Sequence, residues 1–387
     1  MNEAVIVSAV RTPIAKARGA LKNLHPSVYG ALVIKEALKR AGLEGGEVED
    51  GIFGNCLAGG GNMARLTLLE AGLPLFVPGI TIDRQCGSGI NAAVLAAQSV
   101  RSGSADILVA GGTESMTRTP YLLAPQERAF DRNPPQFVRR RLSPDSIGDP
   151  PMGITAENLA EQYGISREEQ DQFAYESQQK MARAMTEGRF QEQIVPVPLK
   201  GKQGETILFD TDEHPRPETT MEALLKLPPV FKEGGTVTAG NSSGVNDGAS
   251  ALVIMSDREA AKRGLEPLAR ITHWAVAGVD PNIMGIGPVP ATQKVLEKAG
   301  KSLDDIDLIE INEAFAAQVL ACDRELHFDR SKVNVNGGAI AHGHPIAATG
   351  AMLITKLVYE MKRRDVKRGL VTACIGGGQG IAVIVER

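Results

Sequence analysis

Short, uninterrupted apolar runs, each closed by glycine or proline and followed by a helix-period stretch, constrain this chain more than any other feature. Ala4-Val5-Ile6-Val7-Ser8-Ala9-Val10 ends at Arg11-Thr12-Pro13, and Ile107-Leu108-Val109-Ala110 ends at Gly111-Gly112. A run that is apolar on both faces does not suit a half-solvated sheet, so it belongs to a parallel sheet covered by helices. Between these runs, Leu32, Ile34, Ala37 and Leu38 recur at helical spacing and stop at Gly42, which predicts a helix over 28–41. Residues 48–55 read as a second strand and 66–71 as a further helix.

The same programme returns in the second half. Residues 251–255 and 268–278 are strand-like and 290–299 helical. Residues 304–312 place an acidic turn before an apolar strand, as 47–55 do. A long helix ends near Lys362-Arg363-Arg364, and strands at 370–375 and 381–385 flank Gly376-Gly377-Gly378-Gln379-Gly380. This shared pattern points to an internal duplication. From Met116 to Gly235 the alternation lapses into prolines, arginines and isolated helical patterns, including Arg132-Asn133-Pro134-Pro135 and His214-Pro215-Arg216-Pro217. Ser166 and Glu169 form a capping-box signal for a helix running to about Glu187. The segment reads as an insertion on the sheet rather than as a separate core.

The 387 residues suffice for two or three cores, and a net charge of −4 gives no reason to expect nucleic acid or an anionic membrane as partner. No run is long and apolar enough to span a bilayer, and the N-terminus lacks the basic stretch of a signal peptide. The four cysteines, Cys56, Cys86, Cys322 and Cys374, form no C-x-x-C pair, which suits a reducing, cytoplasmic compartment.

Chemistry is concentrated at element junctions. Cys86 lies where the run Ile80-Thr81-Ile82 stops and a small-residue helix former begins, with Gly87 and Gly89 allowing a sharp turn. A sulfur there lies near a helix N-terminus, which favours a thiolate and offers N–H groups to an oxyanion. A buried structural cysteine is the bland alternative. Glycine clusters elsewhere, Gly59-Gly60-Gly61 among them, suggest turns where backbone approaches a ligand.

Three patches of the second half supply partners. Asn312-Glu313-Ala314-Phe315 stands between a strand and a helix, either to cap that helix or to hold a water or carbonyl. In His342-Gly343-His344-Pro345, His344 is presented at the mouth of the next helix, whereas His342 reads as a loop residue. No third ligand stands near this His-x-His pair for a metal. Cys374 precedes Gly376-Gly377-Gly378 and a strand rather than a helix, which argues against a nucleotide-phosphate loop. Two cysteines, one histidine and two Gly-rich N–H clusters together suggest acyl transfer through a thioester.

At these motifs the chain resembles the thiolase family over essentially its whole length: Asp83-Arg84-Gln85-Cys86-Gly87-Ser88-Gly89, Asn312-Glu313-Ala314-Phe315, Gly343-His344-Pro345 and Cys374-Ile375-Gly376-Gly377-Gly378-Gln379-Gly380. The resemblance implies an α/β fold of duplicated α-β-α-β-α layered domains, each with a mixed five-stranded sheet, and an inserted loop domain. Its implied boundaries are 1–116 and 241–264 for the N-terminal domain, 117–240 for the CoA-binding loop domain, and 265–387 for the C-terminal domain. It implies Cys86 as nucleophile, His344 as its base and Cys374 as the second acid/base. Asn312, through a water, and His344 would make one oxyanion hole; the N–H groups of Cys86 and Gly376 would make the other. Phe315 would shape the acyl pocket, Arg216 would meet the CoA phosphates, and Ser243 and Met152 would line the pantetheine arm. No metal or redox cofactor is implied, coenzyme A being a substrate, and the assembly would be a homodimer or homotetramer.

The family commonly reads Gly-Ala-Ser-Gly where this chain has Ala347-Ala348-Thr349-Gly350. Biosynthetic acetoacetyl-CoA thiolases often have a His before the Met-Gly pair, where this chain has Pro151-Met152-Gly153. Met152 to Thr155, Arg216 to Met221 and Ile283 to Pro288 look more like degradative 3-ketoacyl-CoA thiolases. Thiolysis of 3-ketoacyl-CoA is therefore the expected reaction, with condensation of two acetyl-CoA as the alternative. A ketoacyl-carrier-protein synthase would lack the second catalytic cysteine. A non-catalytic acyl-CoA-binding protein would be expected to have lost Cys86, His344 or Cys374.

Overall fold

A computed structural model describes residues 2–57, 60–126, 128, 130, 133–201 and 203–387. Gly59 and Arg132, named above, lie outside the described residues. The strands of the main sheet are β1 (Ala4–Arg11), β2 (Asp50–Gly54), β3 (Gly79–Ile82), β4 (Ile107–Ser115), β5 (Asn246–Ser256), β6 (Ala269–Gly278), β7 (Leu308–Ile311), β8 (Arg368–Ile375) and β9 (Gln379–Glu386). They run in the spatial order β7-β8-β9-β6-β1-β5-β4-β2-β3, with the short strand Ala15–Lys16 added beside β5.

The duplication is visible in this order. In the first half β1 pairs antiparallel with β5, β5 antiparallel with β4, and β4, β2 and β3 run parallel. In the second half β6 pairs antiparallel with β9, β9 antiparallel with β8, and β8 and β7 run parallel. The fifth position there is a single parallel bridge between Ile309 and Val333 rather than a strand. Even the irregularities repeat, a register shift falling between Ile6 and Ser8 in β1 and between Ile271 and His273 in β6. The halves meet where Val5 and Ile6 of β1 face Arg270 and Ala269 of β6, so the two expected sheets join into one.

Period-two alternation sorts the strand residues into three cores. On one face, Ile6, Leu108, Leu252 and Ile254 of the first half and Val371, Val383 and Val385 of the second enclose two helices, α2 (Ser88–Ser102) and α5 (Ile346–Arg364). On the opposite face of the first half, Val5, Val109, Val253 and Met255 pack on α1 (Pro26–Arg40). On the opposite face of the second half, Ile309, Leu370 and Ile384 pack on Val289 and Val295 of a helix from Pro288 to Ala299 and on α4 (Ala316–Leu326). The result is five layers, with α2 and α5 in the middle one.

The 130 residues between β4 and β5 build no core of their own. Helix α3 (Met152–Gln162) joins the second-half core through Ala156, Leu159 and Ala160. The helix Arg167–Thr186 carries the capping box read from Ser166 and Glu169 and lies against Ile340 and Ala341. A buried ion pair, Arg11 to Asp212 at 2.7 Å, ties the insertion back to β1. No described helix is long and apolar enough to cross a membrane.

Candidate active site

The middle layer places the chemistry. Helices α2 and α5 occupy corresponding positions in the two halves, and the residue two places before each is Cys86 or His344. Cys86 sits in a single 3-10 turn, Gln85–Gly87, between β3 and α2. The turn's irregular residue is Gln85, at φ 44°, and not either glycine. Such a backbone costs of order 1–3 kcal/mol and persists only when its surroundings fix it. Asp83 Oδ1 accepts both Gln85 N–H (2.9 Å) and Gln85 Nε2–H (2.8 Å), and the Gln85 carbonyl accepts the Ser88 hydroxyl at 2.7 Å. The glycines serve close packing instead. A Cβ on Gly87 would stand 2.6 Å from Ile375 Cδ1, and one on Gly89 2.4 Å from Ala351 N.

His344 Nε2 lies 3.1 Å from Cys86 Sγ. Its other nitrogen, Nδ1, lies 2.7 Å from Thr349 Oγ1, and the Thr349 hydroxyl donates to the Pro345 carbonyl at 2.9 Å. A hydroxyl has one proton, so Thr349 accepts from Nδ1–H. In the neutral ring the lone pair on Nε2 therefore faces the sulfur. Asn312 Nδ2 stands 3.4 Å from the same Nε2, and Asn312 Oδ1 is buried without a hydrogen-bond partner among the described residues. A buried orphan acceptor beside a base is a place for a water or a substrate group.

Burial overrides the helix N-terminus at Cys86. Desolvation pushes its pKa up to about 11, against the lowering effect of the N–H groups of Gly376 and of Cys86 itself. Burial also brings His344 down to about 4. Both shifts favour a neutral thiol–imidazole pair at rest, in which charge appears only as the proton moves to His344. Cys374 is fully buried near the end of β8, its thiol pushed well above the ordinary value chiefly by burial, with the neighbouring thiols of Cys86 and Cys322 opposing a second thiolate beside them. Between β8 and β9, Gly377 and Gly378 take φ of 86° and 82°, which turns the chain so that the Gly376 N–H points at the Cys86 sulfur.

The remaining expected residues divide. Met152 Sδ lies 3.6 Å from where a Cβ on Gly376 would be, which puts it beside the Gly-rich turn that faces Cys86. Phe315 is 8% exposed, makes an edge-on contact with Phe231 at 6.1 Å, and bridges to Ser242. Ser243 N–H donates to the Ala314 carbonyl at 2.9 Å, beside Phe315. Arg216 is exposed; its backbone N–H is held by Gln178 Oε1 at 2.9 Å, and its guanidinium has no partner among the described residues. His214, two residues earlier, reaches Gly244, next to Ser243. Glu313 does not cap α4. It accepts Ser177 Oγ–H (2.7 Å), Asn334 Nδ2–H (2.8 Å) and Ile340 N–H (3.2 Å), bracing the loop that leads to His344. His342 faces Lys356 and not the sulfur, and among the described residues no group of three His, Cys, Asp or Glu side chains gathers to hold a metal.

Three residues of the site were given no role in the sequence reading. Thr349 fixes the His344 ring, and Asn246 Oδ1 accepts the His344 N–H at 2.9 Å from across the sheet. Glu114, on β4, accepts the N–H groups of Cys56 (3.0 Å), Leu57 (3.2 Å) and Ala347, with burial raising its carboxyl to about 7.

Residues 4–258 match the family described as Thiolase, N-terminal domain, and residues 265–387 the family described as Thiolase, C-terminal domain. The chain is a thiolase. It is 50% identical over 392 residues to an acetyl-CoA acetyltransferase of Pseudomonas aeruginosa, with 100% of both chains covered. It is 49% identical over 395 residues to one of Syntrophomonas wolfei, covering 100% of this chain and 99% of that one. Among solved structures, this thiolase superposes on the Bacillus anthracis acetyl-CoA acetyltransferase with a TM-score of 0.95 at 47% identity, over 100% and 99% of the two chains. On human mitochondrial 3-ketoacyl-CoA thiolase in complex with CoA the TM-score is 0.92 at 43% identity, over 100% and 98%. The thiolase fold and an acyltransferase activity follow from this membership.

Proposed function

We propose that this thiolase interconverts a 3-ketoacyl-CoA plus CoA with an acyl-CoA plus acetyl-CoA through an acyl thioester on Cys86. The observation that carries the reading is the 3.1 Å contact between Cys86 Sγ and a His344 nitrogen that is free to accept its proton. In the thiolytic direction the Cys86 proton passes to His344 Nε2 as sulfur attacks the 3-keto carbon. The C2–C3 bond then breaks, and the Cys374 thiol gives its proton to the leaving acetyl-CoA enolate. In the second half the CoA thiol gives its proton to the Cys374 thiolate and attacks the thioester. Cys86 leaves and recovers its proton from His344. The N–H groups of Cys86 and Gly376 receive one developing oxyanion, and His344 with the Asn312 side chain the other. A thiol suits the second acid/base because its reference pKa lies nearer neutrality than a carboxyl's.

The segment 117–240 would hold CoA, with the unpaired Arg216 guanidinium on its phosphates and Ser243, Met152 and Phe315 along the arm and acyl chain. An enzyme speeds both directions equally, so the cellular direction depends on the concentrations it meets. The relatives' names, acetyl-CoA acetyltransferase, support acetyl transfer in either direction, while Pro151-Met152-Gly153 favours longer 3-ketoacyl chains. We place the protein in the cytoplasm as a homodimer or homotetramer. The edge strand β3, with exposed Leu75, Phe76 and Ile80 around it, offers one face for a second copy.

The test is thiolysis of a 3-ketoacyl-CoA chain-length series, followed by loss of the enolate absorbance. Cys86→Ala should never acylate. Cys374→Ser should still acylate but lose proton exchange at C2 of acetyl-CoA. Normal acylation of folded Cys86→Ala would overturn the assignment.

A further inference from the structure

A second buried histidine beside the base is left without a part in this chemistry. His342 is 2% exposed, with Nε2 3.3 Å from Lys356 Nζ and Nδ1 2.8 Å from the Gly343 carbonyl oxygen. An ammonium has three protons and no lone pair, so Nε2 is the acceptor in that contact. The ring proton then sits on Nδ1 and is donated to the Gly343 carbonyl. That carbonyl belongs to the same peptide group as the His344 N–H, which donates to Asn246 Oδ1 at 2.9 Å. The peptide that carries the base is thus gripped at both of its polar ends.

The grip matters because this peptide follows a residue with little to restrain it. Gly343 sits at φ 100°, and a Cβ there would stand 2.5 Å from Asn246, so only glycine fits. Lys356 is itself fully engaged. Its other protons go to Glu310 Oε2 at 2.9 Å and the Gly337 carbonyl at 2.7 Å, one acceptor for each N–H. The chain of contacts runs from the ion pair in the middle layer through His342 to the backbone of His344.

We propose that Lys356 and His342 are positioning residues: the lysine sets the His342 tautomer, and the Nδ1–H of His342 holds the Gly343–His344 peptide so that Nε2 of His344 meets the Cys86 thiol. This inference rests on the reading of His344 as the base for Cys86. Burial, and then the Lys356 charge, hold the pKa of His342 well below its ordinary value, so the ring stays neutral and the grip persists across the working pH range.

The experiment compares His342→Leu, which has no donor, with His342→Asn, whose short amide can reach the Gly343 carbonyl. Two rates are read in each: thiolytic turnover, and alkylation of Cys86 by iodoacetamide, located by mass spectrometry. In His342→Leu both kcat and the alkylation rate should fall, about tenfold to a hundredfold, as for a catalytic group displaced by a fraction of an ångström. KM should stay within about threefold, because no contact to substrate is lost. His342→Asn should recover most of both rates. As a check that needs no variant, histidine 15N spectra of the wild-type enzyme should show His342 as the neutral Nδ1–H tautomer from pH 6 to 8. The proposal is overturned by any of three results: wild-type rates in His342→Leu, equal losses in the two folded variants, or a proton on Nε2 of His342. If His342→Leu does not fold, the tautomer and the Asn variant decide. Alkylation that is unchanged in His344→Ala would instead overturn the underlying reading of the base.

Discussion

Thr349 gives its one hydroxyl proton to the Pro345 carbonyl and so has only lone pairs to offer His344 Nδ1. Thr349→Val keeps the shape and removes the acceptor. The buried Nδ1–H would then lack a partner, at a cost of about 1–3 kcal/mol, and the ring would be free to turn or change tautomer. We expect kcat for thiolysis to fall about tenfold to a hundredfold in Thr349→Val, with KM little changed and with Thr349→Ser near wild type. Steady-state kinetics of the two variants check this, and equal loss in both would show that the methyl, not the hydroxyl, is what matters. At this scale the sequence was informative where chemistry coincides with a junction. Cys86, His344 and Cys374 all stand at strand or helix ends beside glycines, and the structure brings Cys86 and His344 into contact. Thr349 lies inside a helix, marked only by standing at the family's Ser position, and Asn246 is 98 residues from the backbone it holds. Long-range hydrogen bonds of this kind leave no local trace. The electrostatics at Cys86 divide in the same way: the helix N-terminus can be read along the chain, but the burial that opposes it cannot.

At the scale of elements, α2 and α5 cross closely enough for their backbones to touch, and this crossing sets the distance between Cys86 and His344. A Cβ on Gly350 would stand 2.3 Å from Ile90 N, and one on Gly89 2.4 Å from Ala351 N, so both obstacles are backbone and cannot rotate away. Gly89→Ala or Gly350→Ala should force the helices apart, destabilising the fold by about 1–3 kcal/mol as overpacked cores do. Activity should suffer more than stability, since displacing a catalytic group by about 1 Å costs on the order of a hundredfold. Denaturant midpoints together with kcat separate the two effects, and a fully active Gly350→Ala would refute the role of the crossing. Most elements could be located from apolar periodicity, including the capping-box helix from Arg167 and the strands β1, β6, β8 and β9. What the glycines were for could not. They read as turn formers, whereas Gly87, Gly89 and Gly350 admit a neighbouring element.

At the scale of the whole molecule, the duplication places one helix N-terminus from each half at a shared centre, and the cost of this arrangement is a set of ionisable groups buried in neutral form. His344 and His214 are brought down to about 4 and His342 well below its ordinary value, all three chiefly by burial. In the unfolded chain each would take up a proton near pH 6.5. Between pH 6.5 and 4 the unfolded state therefore binds more protons, so stability is full above that window and is lost as pH falls through it. A histidine shifted this far contributes about 3 kcal/mol by linkage. Two buried carboxyls act in the opposite sense. Glu114, raised to about 7, and Glu310, also raised, bind a proton more readily when folded, and so stabilise the native state as pH falls toward their unfolded values near 4.5. His273 is also lowered and Asp50 also raised, both chiefly by burial, so four histidines stand against three carboxyls and we expect a net loss on acidification. Glu360, held down to about 2 by Arg363, Asn336 and Arg364 despite its desolvation, adds to the loss only below its ordinary value. The urea midpoint at pH 5 should accordingly lie below that at pH 7. His344→Asn, which removes one histidine and no carboxyl, should narrow the gap between the two midpoints even though the variant is inactive. A midpoint that rises on acidification would mean that the carboxyls dominate and that the histidines are better solvated than the middle layer implies.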